Sequence, residues 1–214
     1  MPKVKIPRKG THVDMTAMCD VAFLLLTFFI LTTQFKPDEP VIVDTPSSIS
    51  TLKLPSKGIA LITLSNDGVV FFGFDMQPVM YDMIDKMSAQ YNIPFTEQEK
   101  EQFKLLSNFG MPINQLKSYL DATPEQRKKI VQPGIPCDSA DNQLANWILF
   151  ANQGFQPYKK NRDDYFRVAI KGDSNCKYAV VKKIISTLQD RNLNRINFIT
   201  DLEADPNKAK ASAE

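Results

Sequence analysis

The chain has 214 residues, 43% of them apolar and 23% charged, and a net charge of +2. That length allows one domain with a real core beside one further segment, and the near-neutral charge, with basic residues clustered only at the N-terminus, argues against nucleic-acid binding. A single histidine and three cysteines leave no material for a His-based triad or a zinc site in the body of the chain.

Residues 1–14 form a basic arm: Lys3, Lys5, Arg8 and Lys9 precede the first acid, Asp14. By the positive-inside rule this arm stays cytoplasmic, where it can touch anionic lipid headgroups. Asp14 reads as a solvated N-terminal helix cap, and His12, the lone histidine, as a solvated neighbour.

Residues 15–35 are 21 positions with one charge, Asp20, enough to cross the ~30 Å apolar layer of a bilayer as a helix. A cleaved signal peptide would have a shorter apolar stretch ending at small residues, whereas this one ends in "LTTQFKP". A carboxylate in such a helix costs roughly 2.5 to 3.5 kcal/mol to insert and so faces a protein interior or a watered path; Asp20 therefore predicts a partner protein. Burial favours the uncharged form of a carboxyl group, so a site of alternating exposure would load and release protons. At about 100° per residue, Thr16 and Thr27 lie within about 40° of Asp20 and support it on one polar stripe. The bland alternative is that Asp20 reaches headgroups and that the threonines bond their own helix.

Residues 36–57 hold four prolines and no helical periodicity, which suits an extended periplasmic linker; its apolar clusters "VIV" and "LKL" are candidates for short strands paired with a partner. Residues 58–203 read as one α+β domain. It opens with a β-hairpin, two apolar runs around Ser-Asn-Asp-Gly in "IALITLSNDGVVFFG". A helical insertion follows at about 76–164, with capping boxes at Thr96/Glu99 and Thr123/Gln126 and a helix anchored by Trp147, Ile148 and Phe150. The end is β-α-β: a strand in "YFRVAIKGD", a helix with Val180, Val181, Ile184, Ile185 and Leu188 on one face, and a strand in "RINFIT". Residues 204–214 read as a disordered tail.

Cys19 lies inside the membrane run, while Cys137 and Cys176 fall in the part placed outside the cytoplasm, where disulfides persist; they are candidates for a bridge. No nucleophile elbow, metal-ligand spacing or phosphate loop appears, and Asp138 and Asp141 read as helix caps. The reading is of a non-enzyme with no cofactor and no metal.

The stretch "VDMTAMCDVAFLLLTFFILTT" resembles the membrane segment of the ExbD/TolR family, with Asp14, Thr16, Asp20 and Val21 matching and Ala17 standing where proline is common. The likeness extends over residues 1–75 and 165–203; the long insertion has no counterpart in it. The resemblance implies an α+β fold with a single N-terminal transmembrane helix and a periplasmic domain. It also implies a D-type subunit of a proton-driven inner-membrane motor: two copies inside a pentamer of a polytopic ExbB- or TolQ-like protein, Asp20 carrying the proton, and work passed to a partner such as TonB or TolA. The linker stretch the family carries after its helix matches Val43, Asp44, Thr45 and Pro46 by position, with Thr45 replacing leucine, while residues 52–55 fit the letters better but lie later. General patterning is nearest to the TonB-linked branch; a Tol-type or gliding-type motor is the alternative, and a membrane-anchored binding or scaffold protein is the reading of another class.

Overall fold

The computed structural model describes residues 15–33, 41, 43–48, 57–138, 141–159 and 165–202. The basic arm with His12 and Asp14, residues 52–55 and the tail from residue 204 lie outside these. The chain divides into two compact units, Met1–Pro37 and Asp38–Glu214.

The first unit contains helix α1, Met15–Thr32, none of whose residues is buried. A helix that is apolar all round and covers nothing in its own chain calls for lipid or other helices as its surroundings. It ends at Thr32, short of the 35 expected, where hydroxyl groups begin to serve the last carbonyls: Thr32 Oγ1 donates to Phe28 O at 2.8 Å and Thr33 Oγ1 to Phe29 O at 2.5 Å. Such back-bonding competes with the helix ladder.

The second unit is α+β. Its described elements begin with β1 (Ser47–Ser48), β2 (Ile59–Leu64) and β3 (Val70–Phe74). The turn between β2 and β3 is set by Gly68, whose φ of +82° suits a residue without Cβ; Gly68 N donates to Ser65 O at 2.9 Å and Ser65 N to Val69 O at 3.0 Å. Helices α2 (Gln77–Tyr91), α3 (Glu97–Phe103), α4 (Ile113–Asp121), α5 (Pro124–Arg127) and α6 (Gln143–Phe155) follow, with a 3-10 turn at Gln156–Tyr158. The chain then makes β4 (Arg167–Gly172), α7 (Tyr178–Asp190), β5 (Ile196–Ile199) and β6 (Asp201–Leu202).

The main sheet has the order β3-β2-β4-β5. β2 is antiparallel to β3 and parallel to β4, and β4 is parallel to β5 across the α7 crossover. The register aligns Phe72, Ile62, Ile170 and Phe198 on one face; the first three are buried and Phe198, on the outermost strand, is 59% exposed.

The two capping boxes form as the sequence predicts, at Thr96/Glu99 and Thr123/Gln126. Asp138 and Asp141 are not caps. Asn142 caps α6 by accepting from Ala145 N at 3.0 Å, Asp141 accepts from Gln143 Nε2 at 2.7 Å, and Asp138 pairs with Lys183. A short amide side chain can reach the first free N–H groups of a helix as well as a carboxylate can.

The helices between β3 and β4 share the core of the sheet. Phe103, Phe109 and Trp147 close into a ring cluster with centroids 5.0 to 5.5 Å apart, and Phe109 meets Phe72 of β3 at 6.1 Å. The same segment closes the β3 margin: Phe72 N donates to Phe109 O at 2.8 Å, Phe109 N returns to Phe72 O at 2.9 Å, and Ile135 N donates to Val70 O at 2.9 Å. Gly73 allows this approach, since a Cβ there would lie 1.9 Å from Asn108 Oδ1. On the opposite margin, β5 has no strand beyond it among the described residues.

Candidate functional site

Asp20 is the sixth of the 18 residues of α1, which span about 27 Å at the helical rise. It is the only formally charged residue in that helix. Around it stand apolar side chains that face away from their own chain, among them Phe23, Leu24 and Phe28, each more than half exposed. Thr27 is the one partly buried residue of the helix, and its Oγ1 donates to Leu24 O at 2.9 Å. That hydroxyl is satisfied within the helix and keeps its lone pairs for a neighbour. Thr16 lies a turn before Asp20 in the same helix.

The linker residues are placed by the second unit. Val43 and Thr45 are both 8% exposed. Asp44 O accepts from Ser174 N and from Ser174 Oγ, each at 2.9 Å, and Asp44 N donates to Asp173 Oδ2 at 3.3 Å. Thr45 Oγ1 donates to Asp201 Oδ2 at 2.5 Å, and Asp201 N to Pro46 O at 3.1 Å. β1 then runs parallel to β6, Ser47 beside Asp201. The stretch thus pairs with the end of its own domain, through Ser47–Ser48 and not through the apolar cluster at 41–43. Asp173, Ser174 and Asp201 were not singled out in the sequence; the "GDSN" turn was the only local signal of such a dock.

Cys137 and Cys176 are free thiols, as is Cys19, so the bridge between the first two is corrected. Cys176 lies in the turn before α7, near Gly172. Cys137 is half-buried beside Lys183 of α7. Burial pushes the Cys137 thiol pKa up, partly opposed by the Lys183 ammonium. Among the described residues no group of three His, Cys, Asp or Glu stands where it could hold a metal ion.

One apolar helix bearing a lone carboxylate precedes an α+β domain with a C-terminal β-α-β unit, and that helix is long and apolar enough to cross a membrane. A family model described as Biopolymer transport protein ExbD/TolR matches residues 7–203, and the chain belongs to this family. Its members are energy-transduction subunits of biopolymer transport, and membership together with α1 is consistent with a single-pass inner-membrane protein working with membrane partners of the ExbB/TolQ kind. The matched range encloses the insertion as well as the segments that flank it. No curated protein and no solved structure matches the chain.

Proposed function

We propose that this chain is the D-type subunit of an ExbB–ExbD-type motor that converts the proton motive force into work on a TonB-like protein for outer-membrane nutrient import. The observation that carries the reading is Asp20, the lone carboxylate of an otherwise apolar helix, in a chain of the ExbD/TolR family. Asp20 takes up and releases the proton, with Thr16 and Thr27 lining the same side. Two copies of α1 stand inside a pentamer of a polytopic ExbB/TolQ-like subunit, the basic arm lies on the cytoplasmic side against anionic lipid, and the domain is periplasmic. Each proton is worth about 2.3 kcal/mol per 100 mV of membrane potential. Residues 43–46 are the segment a periplasmic partner engages, and their seat against Asp173, Ser174 and Asp201 supports a resting state that such a partner releases. A TolR-like role in a Tol-type machine is the second reading within the same class.

The test is Asp20→Asn in the full chain, expressed with its polytopic partner. Co-purification in mild detergent at five to two should persist, while energy-dependent uptake should fall to background, with Asp20→Glu retaining part of it. Undiminished uptake by Asp20→Asn would mean that the residue serves helix assembly alone, because Asn still bonds across helices, and the chain would then be an anchored scaffold.

A further inference from the structure

A cleft of about 470 Å³ opens where the C-terminal end of α6, the start of β4 and the α7–β5 loop meet. Phe155, Phe166 and Leu193 supply its apolar wall, and Lys159, Tyr165 and Arg195 its charged and phenolic side. Val168 and four side-chain amides complete the lining, and no carboxylate takes part in it among the described residues. That volume lies within the roughly 300–1,000 Å³ of small-molecule sites, which combine apolar walls with a few convergent polar groups.

Positive charge is concentrated beside this cleft, with no carboxylate paired to it among the described residues. The guanidinium carbons of Arg167 and Arg195 stand 4.1 and 4.2 Å from the centre of the Tyr165 ring. Neither arginine forms an ion pair among the described residues, and the buried Nε of Arg167 has no hydrogen-bond partner. The ring's negative face attracts each cation, but holding both near one ring brings like charges together. A guanidinium fork is shaped to meet an oxyanion through two parallel hydrogen bonds, and Arg195 lines the cleft together with Lys159.

The loop that carries Arg195 is fixed by the end of α7. Asn192 adopts a left-handed φ of 58°, as the residue after a helix often does, and Leu193 N donates to Leu188 O at 2.9 Å. This closure brings Leu193 and Arg195 into the lining of the cleft.

We propose that this cleft binds a small organic oxyanion with an apolar or aromatic body, the charged end on Arg195 and Lys159 and the body against Phe155, Phe166 and Leu193. The shared chemistry is that of a carboxylate or a phosphate ester. The inference is independent of proton transfer at Asp20.

The test uses the full chain in mild detergent and three probes: N-acetyl-phenylalanine, its uncharged amide, and phenyl phosphate, followed by ligand-detected saturation-transfer NMR. At least one of the two anions should bind, the amide should bind at least tenfold more weakly than the acid when the acid binds, and Arg195→Gln should weaken anion binding at least tenfold. The tighter of the two anions names the source, carboxylate or phosphate. Lys159→Gln, at an exposed site, is the second variant should Arg195→Gln fail to fold, and it should weaken binding in the same direction. No binding by either anion, equal binding of acid and amide, or anion binding untouched by whichever of the two variants folds would overturn the proposal.

Discussion

Cys137 shows how a single side chain reports its surroundings. It is half-buried against the core, next to Lys183. Burial raises its pKa above the ordinary 9.0, since the thiolate is the form that low-dielectric surroundings penalise, and the nearby ammonium offsets part of that rise. At any pH below the raised value the folded protein therefore carries less thiolate than the unfolded chain, and alkylation requires the thiolate. Iodoacetamide labelling read by peptide-level mass spectrometry at pH 8 should be slower at Cys137 in the folded chain than in urea. The folded rate should go on climbing with pH beyond 9.0, and Lys183→Met should slow it further. The bridge with Cys176 was a reasonable expectation from compartment alone, but whether two thiols meet depends on where a helix places them, and spacing in the chain carries no such information.

At the scale of elements, what could be read from sequence was what neighbouring residues write between them. Ser65 to Gly68 dictate a hairpin turn, Thr96 with Glu99 and Thr123 with Gln126 cap their helices, and the spacing of Ile184 and Leu188 gives α7 its inner face. Helices α2 and α4 were legible in principle. Val79, Met80, Met83, Ile84 and Met87 form a stripe at helical spacing, as do Ile113, Leu116 and Leu120, yet methionine is a weaker marker of a core than leucine and the Pro112 before α4 reads as loop. The union of Phe109 with β3 was not legible, because 36 intervening residues separate partners that meet only once the core has formed. Trp147 holds that union: it is fully buried between Phe103 and Phe109, with centroids at 5.5 and 5.0 Å. Trp147→Ala should cost about 3 to 5 kcal/mol, read as a lower urea midpoint for the full chain in detergent. Trp147→Phe should cost much less, since the indole Nε1 has no hydrogen-bond partner to lose.

At the scale of the whole molecule, the apolar α1 is long enough to cross a membrane and the second unit packs a core of its own. Extraction of membranes with alkaline carbonate should leave the full chain in the pellet, and removal of Met15–Thr32 should release it to the supernatant; release of the intact chain would show that α1 does not span. The lone charge of Asp20 in an apolar helix is a local feature that the sequence displays, whereas the seat of Val43 and Thr45 was not legible, because it depends on Asp173 and Asp201, more than a hundred residues away.

The insertion's hold on β3 also limits how this domain can meet its like. A sheet open on both sides can take a neighbour on each and grow into a fibre, but here one side is occupied by Phe109 and Ile135 of the same chain. Strand addition to the main sheet is thereby confined to β5, beyond which no strand lies among the described residues.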